Sequence, residues 1–132
     1  MENSEAVPLR EEQDVVRARQ AVRARMQQLN FSLVDQTKMI TAASELARNA
    51  VTHGKGGEMA IEVVNNGSRT GIRLTFQDNG PGIEDLSLAM KDGWTSGGGL
   101  GMGLPGTKRL VNDFDIESAV GKGTRIIIAR WK

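Results

Sequence analysis

Three short stretches of this chain carry residue types whose spacing could do chemistry. In Glu45-Leu46-Ala47-Arg48-Asn49-Ala50, Glu45 and Asn49 stand four apart inside a helical pattern, so both side chains leave one helix face. A carboxylate at 45 could take the proton from an attacking hydroxyl. A carboxamide oxygen one turn later could complete the shell of a hard divalent cation held mostly by phosphate oxygens and water. For this stretch alone, an ordinary solvated helix face is the better reading. Against it, asparagine in a helix interior costs roughly half a kcal/mol relative to alanine. At about 100° per residue, the pair is expected opposite the apolar stripe of its helix, beside Arg48 and Thr52.

The second stretch is Asp78-Asn79-Gly80-Pro81-Gly82, directly after a strand pattern that ends at Phe76. Taken alone it is also the composition of a plain turn. A carboxylate fixed at a sheet edge can accept a hydrogen bond from the exocyclic amine of adenine. Gly82 would let backbone approach a flat ring that a side chain would push away. The third stretch, Gly97-Gly98-Gly99-Leu100-Gly101-Met102-Gly103-Leu104, runs into a helix with Pro105 in its first turn. Successive N–H groups of such a loop and the helix start after it form an anion site. Gly101-x-Gly103-x-x-Gly106 has the dinucleotide spacing, but no hydrophobic strand leads into it. Thr107-Lys108 after Gly106 reverses the lysine-then-hydroxyl order of a P-loop. What the three stretches share is a nucleotide site, and the expected ligand is ATP.

These residues need elements to position them. Apolar residues at Val15, Ala18, Val22, Met26 and Leu29 predict an amphipathic helix over Asp14 to Asn30. Its arginines 17, 19, 23 and 25 form a solvated face or, less simply, a docking surface. Ile40, Ala43, Leu46, Ala47 and Ala50 predict a second helix from about Val34 to His53, ended by Lys55-Gly56-Gly57. Met59, Ile61, Val63 and Ile72, Leu74, Phe76 alternate on either side of Asn65-Asn66-Gly67-Ser68, a hairpin with one buried face. A short helix is expected over Asp85 to Met90, and another through Leu110 and Val111. Phe114 to Ser118 and Arg125 to Trp131 read as closing strands around Gly121-Lys122-Gly123-Thr124. Met1 to Pro8 is either a mobile polar tail or a short edge strand around Val7 and Leu9. His53 reads as a helix-end residue, Trp131 as core or edge packing, and Trp94 as packing or a neighbour of the ligand. The expected architecture is α/β: helices on one face of a mostly antiparallel, mixed sheet.

The chain has 132 residues, which suits one domain over 1–132 with a cleft. Its formal charge of +1 gives no field that points to nucleic acid or an anionic membrane. With no cysteine and one histidine, cysteine-based zinc, disulfides and a histidine pair are excluded. No apolar run approaches the roughly 18 residues of a membrane span, so a cytoplasmic protein is expected.

In this order and spacing the motifs resemble those of the GHKL ATP-binding superfamily, whose fold is the Bergerat sandwich. Asn49 and its neighbours look like the N box, Asp78 to Gly82 like the G1 box, and Gly99-Leu100-Gly101-Met102-Gly103-Leu104 like the G2 box. Gly123-Thr124 looks like the final glycine-threonine element. The resemblance spans about Ser32 to the C-terminus. It implies that Glu45 is the catalytic base, that Asn49 binds Mg²⁺ and that Asp78 reads adenine. Thr124 would support adenine through water, Gly80 and Gly82 would flank it, and residues 99–104 would hold the phosphates. The chain has neither the length nor the upstream histidine of a histidine kinase, nor the further domains of gyrase-like, chaperone or mismatch-repair members. It is most similar to the small branch of anti-sigma factors and switch kinases, above all the stressosome kinases of the general stress response. That branch implies phosphorylation of a serine or threonine on a STAS-domain scaffold or antagonist, then activation of a PP2C-type phosphatase. An anti-sigma factor that binds a sigma subunit, or a nucleotide-gated module without phosphotransfer, stays open beside it. No arginine lies between Arg73 and Arg109, and Lys91 is the only basic residue of the short lid, roughly Glu84 to Ser96. Partner contacts would then complete the closed site.

Overall fold

A strand with alternating apolar residues and a helix with an apolar stripe each have one face to bury, and here they bury it against each other. The computed structural model describes residues 4–53, 55–82, 90 and 103–132. The elements run β1 (Ser4–Leu9), α1 (Glu12–Gln28), α2 (Leu33–Thr52), β2 (Gly57–Asn65), β3 (Thr70–Asp78), α3 (Gly103–Arg109), β4 (Asp113–Ser118) and β5 (Thr124–Trp131). The five strands lie in the order β1-β2-β3-β5-β4. Every described pairing is antiparallel, in keeping with the mostly antiparallel sheet expected, and no parallel pair occurs among the described residues. The expected short helix at Asp85 to Met90 lies outside the described residues apart from Met90, which is in a turn.

Register lines up whole rows of side chains under the helices. One row is Val7, Met59, Phe76, Ile126 and Ile116, and the next holds Ile61, Leu74, Ile128 and Phe114. Against them pack Val15, Ala18, Val22 and Met26 of α1 and Met39, Ile40, Ala43, Leu46, Ala47 and Ala50 of α2. Residues 4–9 are an edge strand, with Val7 and Leu9 in the core. The opposite sheet face has no described helix over it. It carries Arg73 paired with Glu62, and Trp131, whose indole donates to Asp113 at 2.8 Å. Trp131 is therefore edge packing.

Both long helices have side chains that hold their first turns. Ser32 Oγ accepts from the Asp35 amide at 3.1 Å at the start of α2. Arg130 of β5 then clamps Asp35 at 2.8 Å and the Leu110 carbonyl at 2.8 Å, joining α2, β5 and the end of α3. The helix with Pro105 in its first turn begins at Gly103 and stops at Arg109, short of Val111, where Leu110 N–H turns back to the Thr107 carbonyl at 3.0 Å. The end of α2 uses a non-glycine residue as well: Lys55 takes φ 57° before Gly56 at 95°, and the Gly56 amide reaches the Ala50 carbonyl at 2.9 Å.

Of the arginine stripe, Arg17 pairs with Asp14 and Arg25 with Glu5, while Arg19 and Arg23 are exposed. Asp14 Oδ2 also accepts from the backbone amides of Arg10 at 2.8 Å and Glu11 at 3.1 Å. The Arg10 amide, with further help from Glu11 and Arg17, holds the Asp14 carboxyl below its ordinary value of 3.8 against the opposing effect of burial. A depressed carboxylate contributes stability that is present above 3.8 and is lost as pH falls through the lower folded-state value. Asp14→Ala should therefore be less stable than the parent at pH 7, with the gap narrowing in acid. Denaturant titrations at pH 7 and at pH about 3 check this, and an equal gap at both would show that charge at Asp14 does not matter.

Candidate functional site

One row of the sheet breaks the apolar pattern. At the end next to Val7, Met59, Phe76 and Ile126, the register places Gly57, Asp78, Thr124 and Ser118 side by side across β2, β3, β5 and β4. Alternation puts this row on the helix-facing side. On β3, β5 and β4 it is polar where the rows behind it are core, and on β1 it ends in the buried Leu9.

Asp78 is the last residue of β3 and half-buried. Its Oδ1 accepts from the Gly80 amide at 2.9 Å and from the Thr124 amide at 3.2 Å. Among the described residues, Oδ2 has no partner. Burial pushes the carboxyl above its ordinary value, and the two amide hydrogen bonds only partly oppose it. The result is a carboxylate locked by one oxygen and, among the described residues, without a partner at the other. Thr124 is 8 % exposed, and its hydroxyl lies 2.8 Å from Ser118 Oγ, which donates to the Gly123 carbonyl at 3.0 Å.

Two glycines let the loops close on this row, and their reasons are structural. Gly123 has φ 77°, and a Cβ there would lie 2.1 Å from the Asp78 carbonyl oxygen. Gly82 has φ 81°, and its Cβ would lie 2.1 Å from the Ala119 carbonyl oxygen. The approach that Gly82 permits is thus to the β4–β5 turn, where the Gly121 amide also bonds Pro81 O at 2.8 Å, and no flat ring is needed to explain it. Gly80 is buried, with its amide held by Asp78.

Glu45 and Asn49 are half-buried, whereas Arg48 and Thr52 are exposed. Asn49 lies not opposite the buried stripe but on its shoulder, while Glu45, seven residues before Thr52, keeps to that residue's side. Ala42 is buried too, and Asn49, seven residues on, is rotated from it by only about 20°. Neither side chain has a hydrogen-bond or ion-pair partner among the described residues; Arg48 turns to Glu12 at 3.8 Å instead. The return from α2 brings this helix end to the polar row, because Gly56 bonds Ala50 and the next residue, Gly57, pairs with Asp78. His53 is an exposed cap of α2.

Of the glycine-rich loop, Gly99, Leu100, Gly101 and Met102 lie outside the described residues, as do Lys91, Trp94 and the lid. Gly103 opens α3 with φ 73°. Leu104 buries its side chain in the core, so what it can offer a ligand is backbone. A cavity lined by Val64, Arg73, Asp113, Ile127 and Trp131 is on the opposite sheet face and is separate from this row.

Residues 34–132 match the family described as histidine kinase-, DNA gyrase B- and HSP90-like ATPases. The chain belongs to that family. It is 41 % identical over 99 % of its length to the serine/threonine-protein kinase RsbT of Bacillus subtilis, covering 98 % of that protein. It is 35 % identical to the anti-sigma F factor of Clostridium kluyveri, over 86 % of this chain and 82 % of that one. The solved RsbU and RsbW domains of Rv1364c from Mycobacterium tuberculosis superpose with a TM-score of 0.69 at 20 % identity, covering 98 % of this chain and 33 % of that one, a likeness of fold.

For an ATPase of this family the donor set can be tested for Mg²⁺. Among the described residues no group of three or more Asp, Glu or His side chains could hold a metal by itself. The Asn49 carboxamide, unpartnered among the described residues, fits a cation that arrives with phosphate and water as its other ligands. The residue that sequence reasoning missed is Ser118. Its strand was legible but its register against Thr124 was not, since pairing across the β4–β5 turn sets it.

Proposed function

We propose that this chain is an ATP- and Mg²⁺-dependent protein serine/threonine kinase of a partner-switching pathway. The observation that carries the nucleotide reading is the partly buried Asp78 carboxylate, held at Oδ1 by two amides and without a partner at Oδ2 among the described residues. That open oxygen accepts from the adenine amine, with Thr124 beside it, and Gly80 and Gly82 shape the adjoining turn. Asn49 supplies the protein oxygen to Mg²⁺, and the backbone of residues 99–104 holds the phosphates. Bound Mg²⁺ would neutralise charge on the phosphates.

Glu45, unpartnered among the described residues and one turn from Asn49, is the base. The substrate hydroxyl oxygen forms a bond to the γ-phosphorus while the bond to the β-phosphate oxygen breaks; the hydroxyl proton passes to Glu45 and ADP leaves. The likeness to RsbT over nearly the whole chain supports kinase activity. The expected substrate is a serine or threonine of a STAS-domain protein, and the released kinase then activates a PP2C-type phosphatase. The chain acts as one domain, in the cytoplasm; no described helix is long and apolar enough to cross a membrane.

The likeness to anti-sigma F factors gives a second reading, in which the main partner is a sigma subunit. Incubation with [γ-³²P]ATP, Mg²⁺ and candidate STAS proteins, followed by mass spectrometry, tests the first reading. A phosphorylated STAS hydroxyl and an activated phosphatase support it. Stable capture of a sigma subunit with no phosphatase activation would favour the second reading.

A further inference from the structure

The dipeptide Asn-Gly occurs twice in this chain, in opposite settings. Asn79-Gly80 follows β3, and Asn66-Gly67 sits in the turn between β2 and β3. Gly80 is buried, and its amide donates to Asp78 Oδ1 at 2.9 Å. Asn66 and Gly67 are both exposed, and the Gly67 amide has no acceptor among the described residues. Gly67 takes φ 99°, and nothing lies within 4 Å of the place a Cβ would fill. The Asn66 carboxamide is nevertheless held: its Oδ1 accepts from the Ser68 amide at 3.3 Å and the Arg69 amide at 2.9 Å, an Asx turn. Other asparagines precede amides that are already engaged. The Asn66 amide, after Asn65, donates to the Arg69 carbonyl at 3.2 Å, and the Phe31 amide, after Asn30, to the Met26 carbonyl at 3.1 Å.

We propose that Asn66 is a modification site, at which the chain deamidates through its own backbone. The Gly67 nitrogen gives its proton to solvent and forms a bond to Asn66 Cγ. The Cγ–Nδ2 bond breaks, and the amine takes a proton from solvent and leaves as ammonia. The product is a five-membered succinimide. Water then adds to one of its two carbonyl carbons and opens the ring, leaving aspartate or, with the chain rerouted through Cγ, isoaspartate. One water is consumed, one ammonia is released, and nothing is oxidised. Negative charge gathers on Oδ1 as the new bond forms, and the Ser68 and Arg69 amides already donate to that atom, so the turn stabilises the step. At Asn79 the attacking amide is bonded and buried and must first be released.

The new carboxylate takes the formal charge of the chain from +1 to zero. The turn lies at the end of β3 away from Asp78, so nucleotide binding should not change, and the inference does not depend on the reading of Asp78.

The test incubates the folded full chain at mildly alkaline pH, then maps tryptic fragments by mass spectrometry with fragmentation that tells aspartate from isoaspartate. Cleavage after Lys55, Arg69, Arg73 and Lys91 places Asn66 in fragment 56–69 and Asn79 in fragment 74–91. Asn66 should convert at least about tenfold faster than Asn79, since a bonded, buried amide must open locally before it attacks. In urea, where both amides are free, that difference should collapse. Asn66→Gln, whose side chain is one methylene longer and would have to close a six-membered ring, should stop conversion in fragment 56–69. Equal rates at the two sites in the folded chain, conversion at Asn65 instead, or a difference that persists in urea would overturn the proposal.

Discussion

Asp78→Asn should lose ATP affinity by about ten- to a hundredfold while folding at least as stably as the parent at neutral pH. The asparagine keeps an oxygen for the Gly80 and Thr124 amides, so its NH₂ faces the open side where the parent presents Oδ2. A donor then meets the adenine amine, also a donor. Loss of a charge-assisted bond and the mismatch together amount to roughly 1.5–3 kcal/mol. The stability half follows from the raised carboxyl value, whose main cause is burial. A carboxyl raised in the folded state gives stability that is complete below its ordinary 3.8 and is lost as pH rises through the folded value. As pH rises through the folded value the parent takes on a charge that burial disfavours, and the neutral amide does not. The variant's advantage should shrink as the pH is lowered toward 3.8. Calorimetry and denaturant titrations on the same protein check both halves. Parental ATP affinity in a folded variant would remove Asp78 from the site.

The sequence carried the helices and the strands because burial on one side leaves a period. Val15, Ala18, Val22 and Met26, and Ile40, Ala43, Leu46, Ala47 and Ala50, are all in the core. It misplaced Asn49 on its helix because the stripe is wider than its most apolar residues. Met39 and Ala42 are buried as well, and Ala42 extends the buried arc toward Asn49. Alanine reads weakly as core, so the shoulder looked like the solvent face. For Gly82 the difficulty is different. A glycine at positive φ has the same composition signal whether a ligand or Ala119 fills the space.

Register was the part least legible. Polar residues at 78, 118 and 124 are far apart in sequence and carry no shared period. They become one row only once β3 pairs with β5 and β5 with β4. The motif order, by contrast, was enough to place the chain in its family, since each stretch is common and the ordered set is not. The sheet was expected to be mostly antiparallel, and its described pairings are all antiparallel.

Glu45→Gln should leave ATP binding nearly unchanged and lower phosphotransfer to the proposed STAS-domain substrate by a factor on the order of 10²–10⁴. Glutamine has the same length and a similar helix propensity. Glu45 makes no ion pair or hydrogen bond among the described residues, so the change strands no partner there and the fold should tolerate it. What the amide lacks is the capacity to take the hydroxyl proton as the new bond forms. That contact is needed in the transition state, so the rate should suffer and ground-state affinity should not. Asn49→Ala should behave differently, losing Mg²⁺-dependent nucleotide affinity together with rate, because its oxygen is assigned to the bound cation before the reaction begins. Pairing an ATP titration with a single-turnover transfer assay on each folded variant separates the two roles. Near-normal transfer by Glu45→Gln would strip Glu45 of the proposed base role while leaving the proposed nucleotide site at Asp78 untouched, since the two carboxylates stand on different elements, α2 and β3.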